Sequence, residues 1–474
     1  MKHILFVASE SLPFVKTGGL ADVVGSLPQA LSSKNRVSVF IPLYQSVIAK
    51  LKDAKPVVTF TVNTPCINQV ATILKQTHDG IDFYFLQHQG YFERDGLYGY
   101  PDDGERFSFF NLACAMFIEK VNLSVDIIHS HDWHAGMIPL LSRVVFKHHP
   151  NHKNIKHVFT IHNLAYQGQF PLSVAKDCLG LSDQIINDGS IRFDDGINFM
   201  KSAIVYAHKV TTVSPSYAQE ILGLSFGERL HEVLRLRQYD LYGILNGIDT
   251  KFWDPSSDPL IKHHYDVETL DNKVKNKLEL QRKCGLKPTE NTLLLGVVSR
   301  LTWQKGIHLI LDQMADIMGL DVQLIVLGSG EAHLEHGFRH MVEKYYGRLA
   351  YVAGYNEPLA HEIYAGCDLL LMPSLFEPCG LSQMIAMRYG TLPVVREVGG
   401  LRDSVMPYNS ETQEGTGFSF KEFTTSDLYH VLRMAVYLYY HYPIEFEQTQ
   451  RNAMSVDFSW ALSSEQYAKV YDSL

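Results

Sequence analysis

The chain has 474 residues, is 46% hydrophobic and 20% charged, and sets 42 Lys and Arg against 51 Asp and Glu, a formal net charge of −9. That length supports two domains or more. The acidic balance, with no basic face to neutralise phosphate backbones, argues against nucleic-acid and anionic-membrane partners but leaves a neutral polymer open. The 6 cysteines (66, 114, 178, 284, 367 and 379) include no Cys-x-x-Cys pair. Their scatter argues against a disulfide framework and a zinc ribbon and fits a reducing cytosol. No apolar run reaches the ~20 residues of a membrane helix, so the expected address is cytoplasmic.

The N-terminal run is apolar but short, and it enters a Gly-rich turn with no cleavage-like site. It reads as a first strand, His3–Ser9, rather than a signal peptide. Lys16-Thr-Gly-Gly-Leu-Ala-Asp22 follows. Two glycines let a backbone approach a ligand, and a helix starting after them aims free amides there. A plain strand-to-helix turn explains the segment equally well. It is neither a Walker loop nor a Gly-x-Gly-x-x-Gly fingerprint, which weakens ATPase and dehydrogenase readings.

Further strands are expected at Val37–Ile41, Asp82–Leu86, Asp126–His129, Lys156–Ile161 and Lys209–Val213. The fourth ends in His129-Ser-His-Asp-Trp-His134. Without His-Glu-x-x-His spacing or a distal cysteine pair, zinc is disfavoured, and Asp132 is the candidate for holding sugar hydroxyls. The next ends in His162 and Asn163, which point to the same place unless His162 is an ordinary hydrogen-bonded core histidine. The clusters His148–His152 and His263–His264 read as solvated loops.

A domain boundary is expected near Ile244-Leu-Asn-Gly-Ile-Asp249, followed by a polar, helix-like stretch at 266–284. A second series of strands follows at Leu293–Val298, Val322–Leu327, Leu349–Val352, Asp368–Met372 and Pro393–Val395. Nearly continuous apolar strands imply burial on both faces, hence parallel sheets covered by helices. The fold class is therefore α/β with two doubly wound, Rossmann-like domains, 1–245 and 246–455. Ligands in such folds bind beyond the carboxyl ends of the strands, so the reactive site is expected in the cleft between the domains. The aromatic run Tyr437–Tyr442 reads as core packing.

Two strand ends in the second half carry chemistry. Ser299-Arg-Leu-Thr-Trp-Gln-Lys-Gly306 places Arg300 and Lys305 where a fork donor and a point cation can grip a diphosphate. Pro373-Ser-Leu-Phe-Glu-Pro-Cys-Gly-Leu381 sets a lone carboxylate, Glu377, between a strand and a helix start, the order that makes an anion site. No Asp-x-Asp occurs, so a metal gripping a nucleotide diphosphate through that motif is disfavoured; cations and helix starts would balance the leaving group.

From Lys16-Thr-Gly-Gly-Leu to Phe458-Ser-Trp460, these segments resemble the bacterial glycogen synthases and plant starch synthases, glycosyltransferase family five. Asn246-Gly-Ile-Asp249 and Arg388-Tyr-Gly-Thr-Leu-Pro-Val-Val395 belong to the same pattern. The resemblance implies the two-domain GT-B fold, with a C-terminal helix, 456–474, returning to the first domain. It implies retaining transfer of glucose from a nucleotide-glucose to the non-reducing 4-hydroxyl of an α-1,4-glucan. ADP-glucose is the expected donor, UDP-glucose the alternative, glycogen or a maltooligosaccharide the acceptor, and no cofactor or metal is expected. By motif match, Lys16, Arg300 and Lys305 hold the diphosphate and Glu377 sits by the reacting glucose. Cys379, Gly380 and Leu381 offer amides to its hydroxyls, and Asp132, His162 and Asn163 hold the sugar from the first domain. Tyr355 stacks on the base, and Glu10 and Tyr91 lie toward the acceptor. Thr17, Gly18, Gly19, Asn246 and Ser382 complete the implied substrate contacts. Many retaining relatives carry a second glutamate eight residues after the first. Here that position is Ile385, which matches glycogen synthases and counts against a generic small-molecule glycosyltransferase.

Overall fold

The computed structural model describes residues 1–474. The chain divides into two compact units. The first is Met1–Gly247 with Trp460–Leu474, the second Ile248–Ser459.

The first unit is built on β1 (His3–Val7), β2 (Arg36–Pro42), β3 (Lys55–Asn63), β4 (Asn68–His78), β5 (Ile81–Gln87), β6 (Ile127–His131), β7 (Lys156–Ile161), β8 (Gln169–Pro171), β9 (Arg192–Phe193), β10 (Gly196–Asn198), β11 (Lys209–Thr212) and β12 (Leu241–Gly243). Nine of these form one sheet in the order β12-β11-β7-β6-β1-β2-β5-β4-β3. The run from β12 to β5 is parallel. β1 is apolar, and β1, β6 and β7 are almost wholly buried, as strands covered by helices on both faces must be.

The hairpin β3–β4 corrects the expectation of an all-parallel sheet. It pairs antiparallel with itself and with β5. Its residues are largely exposed or half-buried, so it lacks the continuous apolar run that marked the other strands. β8, β10 and β9 form a separate antiparallel sheet that the apolar pattern also missed. The helix Trp460–Asp472 packs in the first unit. There the Tyr471 hydroxyl lies 2.8 Å from His129 Nδ1, and Ser463 Oγ donates to the Leu245 carbonyl.

The second unit carries β13 (Leu293–Val298), β14 (Val322–Gly328), β15 (Leu349–Ala353), β16 (Leu369–Met372), β17 (Leu392–Arg396) and β18 (Phe418–Phe420). They form one parallel sheet in the order β15-β14-β13-β16-β17-β18. This is the doubly wound order in which successive strands run outward from the centre in both directions, so the reversal falls between β13 and β16. In the first unit the corresponding reversal falls between β1 and β6.

Two bland readings are corrected. His152 is not solvated: it is buried, with Nδ1 3.0 Å from Ser142 Oγ and Nε2 3.1 Å from the Ala115 carbonyl. The run Tyr437–Tyr442 is not core: Tyr437 and Tyr442 are exposed, and only Leu438 is buried. The helix Thr425–His441 turns one stripe inward and leaves the rest in water.

A buried ion pair ties the linker helix Lys273–Lys283 to the start of β16. Lys277 Nζ lies 2.7 Å from Asp368 Oδ2, which also accepts the Leu294 amide at 2.7 Å. Removing one partner strands the other without solvent. Asp368→Ala should therefore cost about 3–5 kcal/mol of stability, measured by urea unfolding; a loss under about 1 kcal/mol would show that the pair is solvated.

Candidate active site

The second unit assembles its candidates at the reversal point. The loop after β13 lies against the loop after β16. Gly306 has φ +67°, and a Cβ there would stand 1.9 Å from the Pro373 carbonyl oxygen, so only glycine fits. The Leu375 amide donates to the Gln304 carbonyl at 2.8 Å. This contact sets Lys305 Nζ 2.5 Å from Glu377 Oε2. Ser374 Oγ donates to the same oxygen at 3.2 Å, a contact that the lone-carboxylate reading did not include. Glu377 is buried. Beneath it, Gly399 has φ +43°, and a Cβ there would fall 2.1 Å from the Glu377 carbonyl oxygen.

Arg300 is exposed and has no ion-pair partner. It is a cation left available on the same loop as a neutralised one. Cys379 is buried and Gly380 has φ +73°. The helix Ser382–Arg388 makes its first internal bond from Ile385 to Leu381, which leaves the amides of Gly380, Leu381 and Ser382 as the unsatisfied donors of a helix start. Tyr355 is 77% exposed, so its ring face is accessible.

The first unit does the same at its own reversal point. Asp132 follows β6 directly, has φ +54° and accepts the His162 amide on Oδ1 at 2.8 Å. Asp132 is buried, and desolvation pushes its carboxyl up to about 7. His162 Nε2 lies 3.0 Å from His131 Nδ1. Burial lowers the His162 ring to about 3, so it is neutral at pH 7. Asn163 turns its Oδ1 to the Ala165 amide at 3.0 Å.

Glu10, just past β1, is buried and carries a raised pKa from desolvation. It accepts from the Thr17 amide, from Thr17 Oγ1 at 2.6 Å and from the Tyr98 hydroxyl. Thr17 thus positions Glu10. Lys16 Nζ is paired with Asp22 at 2.8 Å. A Cβ on Gly18 would meet nothing within 4 Å, so no internal packing demands glycine there. Gly19 opens the helix Gly19–Leu31.

Tyr91 is buried and its hydroxyl donates to Glu105; its phenol is occupied inside the unit. Asn246 is buried with its amide oxygen unpartnered. His131 and Tyr98 lie in segments that the sequence singles out, but their bonds to His162 and Glu10 could not be read from it. Tyr98 lies in the aromatic segment 91–98, but nothing in the sequence shows that it folds onto Glu10. No group of three or more His, Cys, Asp or Glu is arranged to hold a metal ion.

Two doubly wound units, one wholly parallel and one parallel but for its edge hairpin, with charged and polar side chains at both reversal points, form the architecture of the GT-B class of glycosyltransferases. The model for the starch synthase catalytic domain matches residues 3–236, and that for glycosyl transferases group 1 matches residues 278–433. The chain is 45% identical to a glycogen synthase of Streptococcus mutans over 473 residues, covering 99% of each chain. It is also 45% identical to a glycogen synthase of Bacillus cereus, covering 100% of this chain and 99% of the relative. The catalytic domain of starch synthase IV from Arabidopsis thaliana, solved with ADP and acarbose, superposes with a TM-score of 0.93 at 33% identity, covering 100% and 99% of the two chains. Sucrose-phosphate synthase from Thermosynechococcus elongatus, at 17% identity and a TM-score of 0.62, shares the fold. The chain belongs to the glycogen and starch synthase family and is a glucosyltransferase. No helix is long and apolar enough to cross a membrane.

The raised Asp132 carboxyl has a stability consequence. Its folded pKa lies above the ~3.9 of an unfolded aspartate, so the native state holds the extra proton between the two values. Stability from this group is complete below about 4 and is lost as pH rises to about 7. The buried histidines act in the opposite sense, so the wild-type curve mixes both. Asp132→Asn isolates the first: relative to wild type, it should gain stability from pH 4 to 7 and keep that gain above. Parallel urea curves for the two proteins across that range would show that Asp132 titrates normally.

Proposed function

We propose that the enzyme transfers glucose from ADP-glucose to the non-reducing 4-hydroxyl of an α-1,4-glucan, with retention at the anomeric carbon. The observation that carries this reading is the Lys305–Glu377 pair at 2.5 Å, with an unpaired Arg300 on the same loop as Lys305, at the reversal point of the second unit's sheet. Before donor binds, Glu377 neutralises Lys305. An arriving diphosphate offers Lys305 and Arg300 a doubly charged partner, which frees the Glu377 carboxylate for the sugar. Breaking the glucose–phosphate C–O bond places negative charge on the leaving phosphate and positive charge on the ring. The two cations stabilise the first, and Lys16 adds to them. Glu377 and main-chain carbonyls near His162 stabilise the second.

The amides at Cys379, Gly380, Leu381 and Ser382 receive sugar hydroxyls, and Tyr355 stacks on the base. Asp132, neutral His162 and Asn163 hold the sugar from the first unit. Thr17, Gly18 and Gly19 line the donor side, and Asn246 offers its spare amide oxygen. Glu10 and Tyr91 belong to the acceptor side, Glu10 by direct contact and Tyr91 through its bond to Glu105. A two-step route needs a nucleophilic carboxylate on the face opposite the leaving group. In the proposed scheme no residue takes that role, and attack occurs on the face the phosphate leaves. Neither cofactor nor metal enters the scheme, and the site of action is the cytoplasm. The starch synthase solved with ADP supports the donor base.

Arg300→Ala and Lys305→Ala should each lower turnover by ~10²–10³, or about 3–4 kcal/mol of barrier, in an assay of glucose transfer to glycogen. Near-normal turnover in both would remove them from the chemistry. Labelled ADP-glucose and UDP-glucose, compared side by side with chelator present, should show chelator-resistant transfer that favours ADP-glucose. A preference for UDP-glucose would overturn the donor assignment, and loss of transfer with chelator would bring a metal into the mechanism.

A further inference from the structure

Two of the scattered cysteines meet. Cys66 Sγ lies 2.8 Å from Cys178 Sγ, across 112 residues of sequence. That is closer than unbonded sulfur atoms ordinarily approach and longer than the ~2.05 Å covalent bond. The backbones are tied as well, because the Cys66 amide donates to the Asp177 carbonyl at 3.0 Å. Each cysteine sits on a defined element. Cys66 lies in the tight turn joining β3 to β4, closed by the Thr64 amide on the Ile67 carbonyl at 2.7 Å. Cys178 ends the wide helical turn Val174–Cys178, which packs on the helix Asp103–Lys120. Cys66 is exposed and Cys178 buried. An external oxidant therefore reaches one sulfur, while the other stands in place to displace it.

We propose that Cys66 and Cys178 form a site of reversible covalent modification, a dithiol that a small disulfide oxidant converts to an intramolecular disulfide. The Cys66 thiolate attacks one sulfur of the oxidant RSSR and releases RS⁻, leaving a mixed disulfide on Cys66. Cys178 then gives up its proton and attacks Cys66 Sγ, which expels the second RS⁻. Two protein thiols are oxidised to one disulfide, and RSSR is reduced to two RSH. Desolvation and contact with Cys66 hold the Cys178 thiol well above its usual range, and Glu105 and Asp177 add to this. The bond would pin the β3–β4 hairpin to the turn packed on the helix that carries Glu105, the partner of Tyr91. This inference stands independently of the donor and acceptor assignments above.

The full-length protein, reduced and then incubated with oxidised glutathione, tests it by peptide mapping after alkylation in denaturant. Two of the 6 free thiols should be lost, with a crosslinked peptide joining Cys66 to Cys178, and dithiothreitol should restore both. The melting temperature should rise on oxidation by several degrees, because the bond closes a long loop in the unfolded chain. Cys66→Ser and Cys178→Ser should each abolish the crosslink and the temperature shift while leaving glucose transfer unchanged. Full alkylation of all the cysteines after oxidant, or arrest at a stable glutathione adduct on Cys66, would overturn the proposal. So would a crosslink through any other pair.

Discussion

The close approach of the loops after β13 and β16 is the constraint on which the second unit's chemistry depends. Gly306 lies against the Pro373 carbonyl at a distance no side chain would permit, and the Gln304 carbonyl takes the Leu375 amide. These contacts bring a cation from one strand end to a carboxylate from the next. Lys305 and Glu377 are 72 residues apart in sequence, yet their charged atoms lie 2.5 Å apart. In so buried a pair, each charge stabilises the other against desolvation. The pair is thereby held near neutrality, and under the proposed reading a dianionic ligand competes with Glu377 for the lysine.

The first unit solves a similar problem with neutral groups. Its reversal point gathers Glu10, Asp132, His131 and His162, all in surroundings that disfavour charge. Burial raises both carboxyls and keeps the imidazoles unprotonated. Hydrogen bonds then do the positioning: Thr17 and Tyr98 fix Glu10, and the His162 amide fixes Asp132. Such a surface suits sugar hydroxyls, which need oriented donors and acceptors. The fixed cations of the second unit suit a diphosphate.

The 45% identity over nearly the whole chain places the protein in its family. The geometry adds how its motifs are held. The Lys-Thr-Gly-Gly segment pairs Lys16 with Asp22 and sets Thr17 on Glu10, so one residue of that motif organises the acid beside it. The Tyr91 hydroxyl is bonded to Glu105 rather than free.

The sequence alone determined the core strands of both units, because an apolar run buried on both faces announces itself. β7 and β13 matched the expected ranges, and most other core strands came within a residue or two. The residue types at strand ends were legible for the same reason: a charge that ends an apolar strand must sit at the rim of the sheet. The β3–β4 hairpin was not legible, since strands half in water carry no continuous apolar signal. Neither was the burial of His152 or the exposure of Tyr437, because a local pattern does not say which helix faces find a neighbour. Only the tertiary structure decided which distant groups meet: Lys305 with Glu377, Tyr98 with Glu10, Tyr471 with His129, and Cys66 with Cys178. Those pairings follow from strand order and loop contact, and neither is written in the spacing of residues along the chain.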